Sequence, residues 1–454
     1  MKKNKLYYFS ALVLAIMLAT IGCNPIYSPT NTENPTPNSG NLPMFTSEEE
    51  LVTAFTEGRN QGYYFLRDGW GGMDMVFAEA APQAAADNGA KDISFSDTNI
   101  QVAGVDEADI IKTDGKYIYV MANNSLYLVE AYPAESARIL AHVAIADFNP
   151  QELFIDGDRL LVFGMTYYYP DEPTITEKPD DPVIIEPGME MSDIMPYPFP
   201  GNLVSIKLYD IKDRSNPVLL KSVDIEGSYL TSRKIGSDVY FVINSYPNFI
   251  SPEPLAVDII PGYQETIGDI EPSIDLKPIA NYSEIGYIPP QQASNFITVA
   301  SLSMSDESRE MGKTVVVGSG ENVFASLSNL YIAQTSWPVF EDLGEPIGDY
   351  VQSTVVTKFA LSSGEVNYVA TGEVKGHIIN QFAMDEYDGY FRIATTISGY
   401  VDNRDTSTNN IYVLDEELKA TGALEDVAPG ESIYAVRFMG KRAYMITFLH
   451  VDPL

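Results

Sequence analysis

The 454-residue chain carries 63 Asp and Glu against 28 Lys and Arg, a formal charge of −35, and a single cysteine. So large an acidic excess is repelled by nucleic-acid phosphates and by anionic lipid headgroups, which excludes nucleic acid as a partner. One cysteine excludes both a disulfide framework and a cysteine metal site, and the length exceeds one typical domain, although repetitive all-β folds stay single at this size.

Residues 1–22 have the three parts of an export signal. Lys2, Lys3 and Lys5 form the charged end, Leu6 to Ile21 is nearly all apolar, and small Gly22 precedes Cys23. That run is shorter than the roughly 20 residues that span a bilayer. Thr20-Ile21-Gly22-Cys23 resembles the lipobox of prokaryotic lipoproteins, with Thr where Leu is more usual. It predicts a lipid on Cys23 as the membrane attachment; an uncleaved anchor and simple secretion are the alternatives. Cleavage would remove three lysines and no acid, leaving 25 basic residues against 63 acidic ones, a charge of −38. A charge of that size reads either as a means of solvating the surface or as the general acidity of a secreted surface, and calcium capture is a weaker reading of it.

Residues 23–43, rich in Pro, Asn and Thr, predict a tether that buries no core. Within 44–97, Ser47-Glu48-Glu49-Glu50 has the form of a capping box ahead of Leu51, Val52, Ala54 and Phe55. It predicts a short helix over about Glu48 to Glu57, stopped at Gly58. Residues 69–97 mix Gly, Ala and Gln without a period and predict disorder.

From Thr98 a pattern repeats. Six apolar strand cores each follow a turn signal: Tyr117–Met121 after Asp114-Gly115, Leu160–Phe163 after Asp156-Gly157, and Val239–Ile243 after Gly236-Ser237-Asp238. Leu330–Ala333 follows Ser328-Asn329, Phe391–Ala394 follows Asp388-Gly389, and Ala443–Thr447 follows Gly440. Anchored at Tyr119, Leu161, Tyr240, Tyr331, Arg392 and Tyr444, the cores stand 42, 79, 91, 61 and 52 residues apart. Four stretches dense in Pro or acid read as loops: Tyr167–Pro200, Tyr246–Pro290, Trp337–Asp349 and Ser398–Asn409. Setting them aside brings every spacing to 40–48. Further strands are expected at Leu126–Val129, Leu203–Tyr209, Val355–Leu361 and Ile411–Leu414.

A period of this length with several short strands per unit predicts an all-β propeller of four-stranded blades over 98–454, preceded by the short N-terminal helix. A β-sandwich or β-helix is the competing architecture. The 29 Tyr and 20 Phe suit inter-blade packing, since Tyr adds a polar tip to an apolar body. Only seven residues follow the last strand core, so the final blade is expected to lack strands at the C-terminus and residues 24–454 to be poorly soluble or oligomeric.

The stretch Thr98-Asn99-Ile100-Gln101-Val102-Ala103-Gly104-Val105-Asp106-Glu107-Ala108-Asp109-Ile110-Ile111-Lys112-Thr113-Asp114-Gly115 resembles the opening motif of a secreted C-terminal β-propeller family of archaea and some bacteria, distantly related to WD-repeat proteins. Gly318–Ser326 and Leu330–Ala333 resemble another of its segments. The resemblance covers about 98–454 and implies the propeller fold. It implies no activity, cofactor or site residue.

Reaction-centre chemistry is scarce. His142, His377 and His450 fall in different units, and there is no HExxH, no G-x-S-x-G elbow and no S-x-x-K pair. Gly312-Lys313-Thr314 lacks the first glycine of a P-loop and precedes a strand. Asp106, Glu107, Asp109 and Asp114 are the densest carboxylates inside a motif and are weak candidates for Ca²⁺, which takes 6–8 oxygen ligands. The favoured reading of them is structural, with the acids bonding backbone N–H groups at the propeller entrance, and Asp385-Glu386-Tyr387-Asp388 is read likewise. Asn123-Asn124-Ser125 and Asn281-Tyr282-Ser283 are N-glycosylation sequons.

The functional expectation is an exported, lipid-anchored module on the outer face of the cell membrane. It would bind a protein or glycan without catalysis, through long acidic loops at 167–200 and 246–290. A metal-assisted hydrolase or lyase using carboxylates at the propeller axis, and a structural envelope component, are the alternatives.

Overall fold

The computed structural model describes residues 42–56, 100–145, 147–168, 201–247, 254–268, 274–288, 295–336, 352–401 and 404–449. The export signal, Cys23 and most of the tether, the 69–97 leader, the connections 169–200 and 337–351, and His450 lie outside the described residues.

The first described element is a helix, α1, over 48–56. Ser47 Oγ accepts the Glu50 N–H at 3.1 Å as an N-cap should. Glu50 reaches back one residue further than a capping box requires, its Oε2 accepting Thr46 N at 2.8 Å and Thr46 Oγ1 at 2.7 Å. Its apolar residues Leu51 and Phe55 are buried.

A short strand, β1 (Val105–Glu107), precedes the first blade, which comprises β2 (Ile111–Thr113), β3 (Tyr117–Ala122), β4 (Ser125–Glu130) and β5 (Arg138–Ala144). Blade two holds β6 (Phe148–Asp156), β7 (Arg159–Tyr168), β8 (Gly201–Asp210) and β9 (Val218–Glu226). Blade three begins with β10 (Ser228–Ile235) and β11 (Asp238–Ser245). The chain then makes an excursion through α2 (Ala256–Ile259), β12 (Gly262–Ile267), β13 (Lys277–Pro278) and β14 (Ile285–Tyr287). It returns to blade three as β15 (Phe296–Ser303) and β16 (Gly312–Val317). Blade four is β17 (Asn322–Ala325), β18 (Asn329–Ser336), β19 (Ser353–Ser362) and β20 (Glu365–Lys375). Blade five is β21 (Met384–Tyr387) and β22 (Tyr390–Ile397), a small hairpin β23 (Tyr400–Val401) and β24 (Arg404–Asp405), then β25 (Thr408–Leu414) and β26 (Ala420–Val427). β27 (Ser432–Met439) pairs with β28 (Arg442–Phe448).

The architecture is all-β, as the sequence predicts, and each of the six turn-preceded cores is the second strand of an antiparallel hairpin: β3, β7, β11, β18, β22 and β28. The turns have the backbone their residues allow: Gly115, Gly157, Gly236, Gly389 and Gly440 all have positive φ, a region that glycine enters without a Cβ clash. Along β7, alternate side chains enter different cores. Leu160 and Val162 pack toward blade one, with Tyr119, Leu126 and Leu128, while Leu161 and Phe163 pack toward blade three, with Val239 and Phe241. Both faces of the strand are buried, so the sequence reads as an unbroken apolar run instead of an alternating one. Tyr240 and Val242 meet blade four, and Phe324 and Tyr331 meet blade five, in the same way. Truncating one such side chain, for example Phe163→Ala, costs about 3–5 kcal/mol.

Three of the four expected loops need correction. The stretch Tyr246–Pro290 is largely folded. β12, pairing with the outer strand of blade two, and β13 beyond it bring that sheet to six strands, while β14, parallel to β16, and β1 on the inner edge bring blade three to six. Proline density mimics a loop because outermost strands tolerate residues that donate no ladder hydrogen bond, as Pro278 does in β13. Tyr167 and Tyr168 extend β7, and Ser398–Asn409 includes β23, β24 and the start of β25. The N-terminal segment fastens to the same excursion. Tyr287 N donates to Pro43 O at 3.0 Å, Met44 bridges Gly286, and Phe55 stacks on Phe296 with centroids 4.5 Å apart.

Candidate functional site

The opening motif lies at the axis. β1 pairs antiparallel with β10, the innermost strand of blade three, matching Val105 to Ile235, Asp106 to Lys234 and Glu107 to Arg233. Two residues on, Asp109 exchanges backbone hydrogen bonds with Leu153 of β6, the innermost strand of blade two. Upstream, Gln101 Nε2 donates to Gln381 O at 3.3 Å and Met384 O at 3.1 Å, at the entry to blade five. About ten residues therefore touch the inner edges of blades two, three and five before β2 starts blade one.

Charge is balanced within this hub. Asp106 Oδ1 lies 2.8 Å from Lys112 Nζ, which also donates to the Glu107 carbonyl and sits 5.8 Å from the Phe154 ring centroid. Glu107 Oε1 stands 3.8 Å from Arg233 Nε. Arg233 is almost fully buried; its Nη2 donates to Gln381 Oε1 at 2.8 Å and its Nη1 to Thr231 Oγ1 and Ser232 O at 2.6 and 2.7 Å. Nearby, Tyr229 OH donates to Glu152 Oε2 at 2.5 Å, and burial raises its pKa well above the ordinary phenol value.

The structure assigns the four candidate carboxylates to separate partners. Asp109 and Asp114 bond backbone as expected: Asp109 Oδ1 accepts Ile110 N at 2.7 Å, and Asp114 Oδ1 accepts Lys116 N at 3.0 Å and Tyr117 N at 2.8 Å. Asp114 Oδ2 takes the Tyr119 hydroxyl at 2.9 Å and faces Arg214 Nη2 at 3.8 Å. Asp106 and Glu107 differ from expectation, because their side chains meet cations instead of N–H groups. Among the described residues, no three His, Cys, Asp or Glu side chains gather in an arrangement that would hold a metal ion. Asp385 ion-pairs with Arg392. Glu386 Oε2 accepts from Ser326 Oγ, Asn329 Nδ2 and Tyr331 OH at 2.8, 3.0 and 2.9 Å, which ties blade five to blade four.

Arg233, Gln381 and Glu152 are absent from the sequence reading. Arg233 and Gln381 stand 148 residues apart, and no local spacing marks them. Lys112 could have been found, since it lies six residues after Asp106 within the same motif.

The two described histidines, His142 and His377, lie apart from one another and from the opening motif. His142 stacks on Tyr127 with centroids 4.7 Å apart, while His377 Nδ1 contacts Gln352 Oε1 at 2.9 Å and burial lowers its pKa.

The long connections share a place in the strand order. Those after β7, β11, β18 and β22 all join a second strand to a third. In antiparallel blades such connections leave from one end, and the third-to-fourth-strand turns leave from the other. Those latter turns repeatedly touch the preceding blade. Arg214 Nε donates to Tyr119 OH, Gly364 N to Tyr240 OH, and Lys358 Nζ to Glu416 O, at 3.2, 3.1 and 3.3 Å. The blades thus share one polarity, and the second strands of blades two to five end toward the same side.

An uncharacterised protein of Methanocaldococcus jannaschii is 25% identical over 447 residues, covering 86% of this chain and 64% of its own length. An uncharacterised protein of Archaeoglobus fulgidus is 25% identical over 415 residues, covering 79% of this chain and 60% of its own. The chain thus spans less than two thirds of the length of these relatives. The β-propeller domain family matches residues 95–454, the span in which the blades lie, and the chain belongs to that family.

Proposed function

We propose that this chain is an exported, lipid-anchored propeller that binds a protein or glycan at the cell surface without catalysis. The observation that supports this reading is that the second strands of blades two to five end toward the same side, combined with the composition of the connections that follow two of them: residues 169–200 hold eight Asp or Glu and one Lys, and residues 337–352 hold four acids and no base. The axis favours the same reading over hydrolysis there, because the chain's own β1 lies along the inner edge of blade three and the opening carboxylates are engaged internally. Attachment would run from Cys23 through the tether to Pro43 and Met44, which are fastened to β14.

The test has two arms. Cys23→Ser should move the protein from the membrane fraction to the soluble fraction; unchanged partition into detergent would make the apolar run itself the anchor. Separately, the full chain displayed on beads should retain purified envelope protein or polysaccharide. Replacing the acids of 169–200 by Asn and Gln should abolish retention without changing the melting temperature. Retention that survives the replacement, or no retention of any envelope fraction, would overturn the binding reading.

A further inference from the structure

The two sequons differ in how the fold presents them. Asn123 and Asn124 form the two-residue turn between β3 and β4, both with positive φ, and both are exposed. The hydroxyl two residues on is not accessible. Ser125 is 6% exposed, pairs with Ala122 on one side and Ala144 on the other, and its Oγ turns back to the Asn123 carbonyl at 3.3 Å. A transferase that must grip the serine while the asparagine reacts would have to unzip the middle of blade one.

Asn281-Tyr282-Ser283 has the opposite setting. It lies where the excursion crosses from β13 on blade two to β14 on blade three, at the outer edge of the molecule. Asn281 caps a single 3-10 turn with extended backbone, and Asn281, Ser283 and Glu284 are all exposed. The turn belongs to no strand ladder. The Asn281 carboxamide is held within its own turn by one exposed contact, Nδ2 to Glu284 Oε2 at 3.0 Å, which an enzyme can replace without disturbing either blade.

We propose that Asn281 is an acceptor for an N-linked oligosaccharide in the folded protein, and that Asn123 is not. The donor class is a polyprenyl-diphosphate-linked oligosaccharide, used by a membrane oligosaccharyltransferase. Nδ2 of Asn281 attacks the anomeric carbon, the bond from that carbon to the diphosphate oxygen breaks, and the lipid diphosphate leaves with the electron pair. The amide proton passes to a base of the transferase. No oxidant or reductant is involved. In the cell the modification rests on the export proposed above, because donor and transferase act on exported chains.

The experiment is therefore made on purified chain, where export plays no part. Folded full-length protein in detergent is incubated with an archaeal oligosaccharyltransferase and its lipid-linked oligosaccharide, beside a short peptide containing Asn-Tyr-Ser that shows the enzyme is active. Intact mass should rise by one oligosaccharide. Peptide mapping should place it on Asn281, with at least tenfold higher occupancy than Asn123. Asn281→Gln and Ser283→Ala should each abolish the gain while leaving the melting temperature unchanged, and Asn123→Gln should leave it intact. A folded chain that gains no mass while the peptide does, or that carries the sugar on Asn123, would overturn the proposal.

Discussion

Arg233→Met isolates the tie across the axis. Methionine keeps an unbranched stem in the same buried position and removes only the guanidinium, so the lost interactions can be named. They are the bond from Nη2 to Gln381 Oε1 at 2.8 Å and the looser pair with Glu107 at 3.8 Å. The bonds to Thr231 Oγ1 and Ser232 O go too, in a strand where Ser232 is itself buried. A hydrogen bond involving a charged group contributes about 1.5–3 kcal/mol, and a partly exposed ion pair adds up to about 1 kcal/mol. Counting only the bond to Gln381 and the ion pair with Glu107, the sum is about 1.5–4 kcal/mol, which overlaps the range for removing one partner of a buried pair. Urea unfolding followed by far-ultraviolet circular dichroism measures it as a lower midpoint at unchanged slope. The decisive measurement is the double-mutant cycle with Gln381→Ala. The two residues belong to blades three and five and meet only if the inner edges converge as described. A coupling near 1 kcal/mol or more is expected; simple additivity within about 0.3 kcal/mol, as distant sites show, would refute the axial contact.

Two further outcomes follow from the same geometry. Asp109→Asn keeps an oxygen that accepts the Ile110 N–H, so the loss should stay within about 0.5 kcal/mol and be equal with and without Ca²⁺; a calcium-dependent rise in wild-type Tm that the variant lacks would mark a metal site instead. Glu226 is half-buried where its carboxylate meets the Tyr168 hydroxyl and the Gly262 N–H, and desolvation raises its pKa above the ordinary value. The native state therefore holds this proton more tightly than the unfolded state does. Its contribution to stability is full below about 4.3, the ordinary glutamate value, and is lost as pH rises through the raised one. Glu226→Gln should gain on wild type progressively over that window, and a stability difference independent of pH would contradict the assignment.

What the sequence disclosed depended on how local the cause was. The second strand of each blade was legible because two local signals coincide there, a turn residue suited to positive φ and a run apolar on both faces. Leu160–Phe163 after Asp156-Gly157 shows why, since consecutive residues of that run fill two different inter-blade cores. The excursion was misread because an outermost strand relaxes the usual prohibitions: Pro278 in β13, and acids along an exposed edge, look like a loop when read along the chain. The helix was placed correctly, while its cap partner was displaced by one residue. The axial hub was legible as a motif but not as a set of contacts. β1 is only three residues long, and its meaning comes from β10, more than a hundred residues away.

The distribution of acid along the chain favours seeking the proposed binding role in the long connections over the axis. At the axis, each carboxylate of the opening motif is matched by a cation, a backbone N–H or a hydroxyl, and Lys112 and Arg233 are buried to supply that match. Matching of this kind is a requirement of burial, because an unpaired charge in a low-dielectric interior is destabilising by several kcal/mol. The sequence of the connections 169–200 and 337–352 concentrates acid with almost no base, twelve Asp or Glu against one Lys. Mutual repulsion there is screened only over about 8 Å at physiological ionic strength. A scaffold selected for stability alone gains nothing from gathering these charges together. A surface that draws a cationic partner toward itself does gain, since a field of one sign raises the rate of encounter.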